Sequence, residues 1–314
     1  MDVVTRILVI NMFKARRLCI PVGMACNLKC LYCMRKAGKI REPKLTDKMR
    51  KYLASLNPEE TEAVVMNGGE PLLYWDRCKE IFSLISPSIH KLVMTNATLL
   101  TQEIVDYLNE NNGGLHLSHD GVNTEILRTV DVLKDPKICS LIKQVNNLRV
   151  YSCITALNPD IVENYNYIKS YLGKDFMYST FPCFDTDIPE IHRLIENFDM
   201  DTYKRSYLEF KMLNVNKANP FHILTPFRRA NGLNVTVNGL ITSITDMKVY
   251  GTIDDDMETI LKRKREMGDY DKCENFDCAY RHLCCTSTQC ASEFTCTLLN
   301  AKFEMDEYLN SRKL

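Results

Sequence analysis

Between about residues 18 and 180 the chain switches repeatedly between two periodicities, and that alternation limits its fold more than any other feature. RLCIPVG (17–23), EAVVMNGG (62–69), HKLVMTN (90–96), GGLHLSHDG (113–121), NLRVYSCITA (147–156) and DFMYSTF (175–181) read as strands. LTDKMRKYLASL (45–56), LYWDRCKEIFSLI (73–85), TQEIVDYLNEN (101–111), the residues from the fourth strand to about 145, and PDIVENYNYIKSYL (159–172) read as helices. Strands that alternate with helices build a parallel sheet through right-handed crossovers. Six such units fall short of the eight of a closed barrel, so the spacing predicts an α/β fold with an open, partial barrel. Functional groups are then expected at the C-terminal ends of the strands.

The rest of the chain has another pattern. Residues 187–214 read as helical, and LNVTVNGLITSIT (233–245) as a hairpin with Asn238-Gly239 at its turn, both at positive φ. DDDMETILKRKREMG (254–268) reads as a helix with acids in its first turn and bases later, matching the macrodipole. A cysteine-rich tail follows. The expected division is residues 1–215 and 216–314.

Fourteen cysteines are many for 314 residues, and they cluster. CNLKCLYC (26–33) puts Cys26, Cys30 and Cys33 on the loop after the first strand, while Cys273, Cys278, Cys284, Cys285, Cys290 and Cys296 crowd the tail. No secretory signal is evident, which argues against a disulfide scaffold and for two metal sites in a cytoplasmic protein. Forty basic and forty acidic residues cancel, so composition points to no nucleic acid, and no apolar run is long enough for a membrane span. Three thiolates from one loop are one short of a closed tetrahedral site; they suit three irons of a 4Fe–4S cluster with the fourth left open. Zinc is the rival, but the spacing lacks the paired CxxC of structural zinc sites.

Cys26-x3-Cys30-x2-Cys33 with Tyr32 before the last cysteine resembles the radical S-adenosylmethionine (SAM) superfamily. That resemblance implies a partial (β/α)6 TIM barrel, a 4Fe–4S cluster whose open iron chelates SAM, and reductive cleavage of SAM to a 5′-deoxyadenosyl radical. A flavodoxin or ferredoxin-type reductant is implied as partner. NGGEP (67–71) resembles the family's GGEP segment, placing Gly68, Gly69 and Glu70 at the SAM amino group; glycines permit close backbone approach, and Glu70 offers a carboxylate to an ammonium. MTNATLL (94–100) resembles the TNG-type strand end, with Ala97 where glycine is usual, and carries over Asn96. LSHDG (117–121) resembles the S-x-D-G segment of peptide-modifying members: Ser118 would bind SAM, with Asp120 beside it and Arg128 reaching the SAM carboxylate.

The tail resembles the SPASM/twitch extension of such enzymes, a small domain of hairpin, helix and cysteine-rich loop. The extension's usual cysteine before the hairpin is missing, and Ser243 or Ile244 stands where another is expected. The resemblance therefore implies one auxiliary 4Fe–4S cluster, held by Cys273, Cys278, Cys284 and Cys296, with Cys285 and Cys290 as rival ligands and zinc as the rival metal. Cys183, after the sixth strand, is a candidate hydrogen-atom donor or a buried small hydrophobe. Asp185, Asp187 and Tyr178 are candidates for proton transfer or substrate contact; His116 and His119 read as flanking a strand. The implied substrate is a ribosomally made peptide or a protein, modified by crosslinking, thioether formation, epimerisation or oxidation. The short segment before Cys26 would leave leader binding to a separate protein or make it dispensable. A dehydrogenase or epimerase acting on a sugar or aminocyclitol is the alternative.

Overall fold

In the computed structural model apolar residues of one parity on the predicted strands, such as Leu18, Ile20 and Val22 or Leu115 and Leu117, go to one side. The structure describes residues 13–33, 44–183, 193–213, 233–243, 247–267 and 293–311. Strands β1 (Arg17–Gly23), β2 (Ala63–Gly68), β3 (His90–Thr95), β4 (Gly113–Ser118), β5 (Leu148–Ile154) and β6 (Met177–Pro182) pair in parallel, each with the next. On the far side of β1 the sheet continues with parallel β7 (Leu233–Val235) and antiparallel β8 (Leu240–Ser243) and β9 (Val249–Thr252). Among the described residues the result is a nine-stranded sheet in the order β6-β5-β4-β3-β2-β1-β7-β8-β9. This is an α/β fold with a mostly parallel sheet, consistent with the partial barrel expected from the alternation.

The crossovers carry helices α1 (Asp47–Ala54), α2 (Trp75–Leu84), α3 (Gln102–Glu110), α4 (Thr124–Arg128), α5 (Pro136–Gln144) and α6 (Ile161–Leu172); α7 (Met200–Leu213), α8 (Met257–Glu266) and α9 (Glu293–Ser311) follow. Local chemistry fixes their starts. Thr46, Thr101 and Asp160 cap α1, α3 and α6 by accepting backbone N–H groups of the first turn, and Gly173 ends α6 at φ +65°. The helical stretch expected up to residue 145 is broken in two. Thr129 takes φ +71° and stops α4, and Asp135 with Pro136 starts α5 afresh.

The hairpin forms where expected, but its turn differs. Gly239 alone takes positive φ (+84°), and its N–H bonds to Thr236 O at 2.8 Å. The loop is thus three residues, Val237–Gly239, rather than a two-residue Asn-Gly turn, because a type I turn followed by one left-handed glycine satisfies the same hairpin.

Leu18, Ile20, Val22, Val64, Met66, Val93, Leu115, Leu117, Val150 and Ile154 join the helices in one apolar core. Leu233, Val235 and Ile241 of the hairpin and Leu298 and Met305 of α9 enter the same core. Residues of the other parity face away from the helices. Cys19, Ala63, Val65, Leu92 and Met94 make a small apolar patch there, and His116 and Ser118 lie on that face of β4. Among the described residues no helix is long and apolar enough to cross a membrane.

Gly173 separates conformational strain from crowding, since a Cβ there would meet nothing within 4 Å. Gly173→Ala should cost about 1 kcal/mol, the left-handed penalty alone, read as a lower urea midpoint at unchanged slope.

Candidate active site

The C-terminal ends of β1 to β5 converge on the cysteine loop, residues 24–33. The loop sits on the glycine pair at the end of β2: Gly69 N–H donates to Gly23 O and Glu70 N–H to Ala25 O, both at 2.8 Å. A Cβ on Gly68 would lie 2.1 Å from Gly23 O, one on Gly69 2.2 Å from Ala25 O, and one on Gly23 2.2 Å from the Tyr74 ring. Gly68 also takes φ +134°. These glycines therefore let the cysteine loop's own backbone close onto β2. Tyr74, which the sequence reading passed over, completes the seat by accepting the Ala25 N–H through its hydroxyl at 3.0 Å.

Glu70 is 1% exposed and knits the neighbouring strand end to this seat. Its oxygens accept from Leu72 N at 3.0 Å, Thr95 Oγ1 at 2.5 Å and Asn96 N at 2.8 Å. Burial raises its pKa, opposed by those three donors. These bonds tie the Asn96 backbone at the end of β3 to β2. The Asn96 amide in turn donates to Asn27 Oδ1 at 3.0 Å and lies 4.0 Å from Cys26 Sγ. Ala97 follows at φ +60°, a left-handed conformation that glycine adopts more readily.

A second knot closes the other side of the loop. Asp120 is fully buried; it accepts from Tyr32 OH at 2.6 Å, Arg128 Nε at 2.7 Å and Cys153 N at 2.8 Å. The Arg128 guanidinium lies 5.3 Å from the Tyr32 ring centroid and donates to Cys30 Sγ at 3.9 Å. Burial would lower the Arg128 pKa, but Asp120, Tyr32 and Cys30 hold it above its ordinary value. Ser118 is half-buried at the end of β4, and its hydroxyl has no partner among the described residues.

The donor set suits a cluster. The thiols of Cys26, Cys30 and Cys33 act on one another electrostatically, yet among the described residues no three His, Cys, Asp or Glu side chains converge tightly enough to enclose one metal ion. Burial raises the Cys26 thiol and pushes Cys30 up to about 11 against the pull of Arg128, so ligation there must displace protons. N–H donors on the sulfurs, from Arg128 and Asn96, are what thiolate ligands of a cluster call for.

Other candidates fall elsewhere. Cys183 is fully buried with Cys153, Leu127 and Leu194, against Tyr32 and Phe181, which places it beside the cysteine loop. Tyr178 is corrected to a core residue: it packs against Tyr165, Phe176 and Phe210 on the helical side, and its hydroxyl bonds Ser152 Oγ at 2.8 Å. Its position on β6 thus faces the helices. His119 holds Asp131 at 2.9 Å within the fold. Asp185, Asp187, Cys273, Cys278, Cys284, Cys285 and Cys290 lie outside the described residues, and Cys296 is placed only as part of α9.

Two stability predictions follow from these burials. Asp120→Asn leaves the Arg128 charge buried without its counter-ion and should cost about 3 kcal/mol in urea denaturation. His116 is 1% exposed, and burial, with Arg17 and Arg149 nearby, pushes its pKa well below 6.5. The unfolded chain therefore binds the extra proton first as pH falls. Stability should drop below about pH 6.5 by up to ~1.4 kcal/mol per unit, and His116→Gln should flatten that slope.

Residues 20–156 match the family model described as Radical SAM superfamily. The serine-type anaerobic sulfatase-maturating enzyme of Bacteroides thetaiotaomicron is 33% identical over 116 residues, 32% of this chain and 28% of that enzyme. The match thus spans under a third of that relative's length. Native anSMEcpe with bound AdoMet shares the fold at TM-score 0.64 and 19% identity, covering 92% of this chain and 96% of that one. Streptococcus suis SuiB bound to precursor peptide SuiA shares it at TM-score 0.55 and 17% identity, covering 74% and 60%. Residues 20–156, which include the three cysteines on the loop after β1, are thus similar to the Radical SAM superfamily over a little under half of the chain.

Proposed function

We propose that this chain reductively cleaves SAM and abstracts hydrogen from a peptide or protein, as a maturase. One observation carries the reading: the cysteine loop is clamped on the Gly68–Gly69 seat, with Arg128 and Asn96 N–H groups directed at Cys30 and Cys26. Cys26, Cys30 and Cys33 would hold a 4Fe–4S cluster, which supplies the electron for SAM cleavage. Gly68, Gly69, Asn96, Ser118 and Arg128 stand at the strand ends around them and would bind SAM, with Tyr32, Glu70 and Asp120 holding those groups in place. Arg128 brings a fixed cation for the SAM carboxylate, and Ser118 a free hydroxyl. Tyr32 packs against the Cys153–Cys183 pair, which keeps water from the base of the loop. Cys183 is retained as the hydrogen-atom donor, with Asp185 for proton transfer.

The peptide class is supported by the sulfatase-maturating relative and by the shared fold of SuiB, whose structure holds a precursor peptide. Residues 216–314 are assigned to a SPASM/twitch-like extension with one auxiliary 4Fe–4S cluster on Cys273, Cys278, Cys284 and Cys296. The hairpin that begins it continues the sheet beside β1. A flavodoxin or ferredoxin-type protein is the proposed reductant, and the cytoplasm is the proposed compartment.

Anaerobic reconstitution with iron and sulfide, followed by iron counting and SAM cleavage, tests the reading. About eight irons per chain and 5′-deoxyadenosine are expected. Cys30→Ala should abolish cleavage, and Cys278→Ala should remove about four irons while cleavage persists. Cleavage retained in Cys30→Ala refutes the first site, and unchanged iron in Cys278→Ala refutes the second. Turnover of a sugar or aminocyclitol with no peptide turnover would replace the maturase reading.

A further inference from the structure

Five buried polar atoms have no hydrogen-bond partner among the described residues: Asn67 Oδ1, Trp75 Nε1, His116 Nδ1, Arg149 Nε and Asn234 Oδ1. Four of them lie on strands, and all four occupy positions that face away from the helices. Their chain neighbours Met66, Leu115, Leu117, Leu148, Val150, Leu233 and Val235 are in the helix-side core. Three are also level across the parallel sheet. Met94 pairs with His116, His116 with Arg149, and Arg149 with Met177, while Met66, just before Asn67, pairs with Val93, just before Met94. Orphaned groups scattered through a core would each be a local defect. Orphans in one row on one face line a surface built to meet something.

The charge of the row identifies that something. Arg149 donates Nη1 to Tyr151 OH at 3.3 Å and Nη2 to Met177 Sδ at 3.2 Å, a phenol and a thioether, and no carboxylate answers it among the described residues. The field of Arg17, from the same face of β1, adds to that of Arg149 at His116. The His116 ring stacks on Tyr151 at 4.9 Å between centroids. A guanidinium without a counter-ion beside a neutral imidazole costs folding energy, and a carboxylate is the group that repays it, being planar and bidentate to arginine.

The height of the row sets the span. His116 lies two residues before Ser118 on β4, so the row is about 7 Å beneath the level of Ser118. Arg149 is half-buried and reachable, whereas the apolar patch of Cys19, Val65 and Leu92 lies below and closes the floor.

We infer that Arg149, with His116 and Tyr151, forms a carboxylate-recognition subsite on the face of the sheet turned from the helices, and that it selects a substrate bearing an acidic group beside the reacting residue. The inference rests on the peptide reading above for the identity of the substrate. The carboxylate has two sources, a Glu or Asp side chain or a free C-terminus.

The test is a binding measurement on the full chain, so it is independent of SAM cleavage. Histidine-labelled protein is followed by NMR, and the His116 signal is assigned by its loss in His116→Gln. The probes are the blocked peptide acetyl-Ala-Glu-Ala-amide, its glutamine counterpart, and acetyl-Ala-Ala-Ala with a free C-terminus. Saturable movement of the His116 signal with the glutamate peptide and none with the glutamine peptide is expected. Movement with the free C-terminus instead assigns the site to a terminal carboxylate. Arg149→Met should weaken the acidic probe at least about tenfold. It should also leave the urea midpoint equal to or above that of the native chain, since it removes an unanswered charge. Equal response to the glutamate and glutamine peptides, or no response to any probe, overturns the inference. So does a lowered midpoint in Arg149→Met with binding unchanged, because Arg149 would then be a structural residue. Loss of SAM cleavage with binding intact would count against the enzyme reading alone.

Discussion

Everything at the strand ends depends on how closely β1 and β2 approach one another. Gly23, Gly68 and Gly69 leave no room for a single Cβ at that junction, and the space they give up is filled by Gly23 O, Ala25 O and the Tyr74 ring. Backbone hydrogen bonds across the seam then fix the course of residues 24–33 before any of the loop's side chains is considered. A loop carrying three thiols on a loose tether would sample many arrangements. Seated this way, it presents them from one arrangement, and the entropy of ordering it has been spent in folding.

Two buried acids carry that order outward. Glu70 joins β2 to the end of β3, and Asp120 joins the loop to β5 and to Arg128. Within the fold both hold other groups: Glu70 accepts from the Asn96 backbone, and Asp120 fixes the guanidinium that reaches Cys30.

The sheet and most helix starts were legible because they rest on local rules: strand periodicity, and Thr46, Thr101 and Asp160 as caps. The division between α4 and α5 was half legible. Asp135-Pro136 is a readable helix start, but nothing local announces Thr129 at positive φ. The hairpin was found from Asn238-Gly239, yet the turn type depends on Thr236 and on which residue turns left-handed. Short motifs brought Tyr32, Gly68, Gly69, Glu70, Asn96, Asp120 and Arg128 forward, and they do gather around the cysteine loop. What each one touches was not legible, because Tyr74, Asn27 and Cys153 have no motif of their own. Tyr178 illustrates the limit: MYSTF alternates without a clear apolar parity, so the facing side of β6 emerges only once Phe210 packs against it.

The knots around the thiols join parts of the chain far apart in sequence. Asn96 reaches Cys26 across 70 residues, Tyr32 reaches Asp120 across 88, and Arg128 reaches Cys30 across 98. Contacts of such separation form late in folding, after the intervening units have closed. During synthesis the three cysteines leave the ribosome long before the residues that shelter them exist as structure. The thiols must therefore pass through an interval of exposure to oxidant and stray metal before four βα units are in place to shelter them.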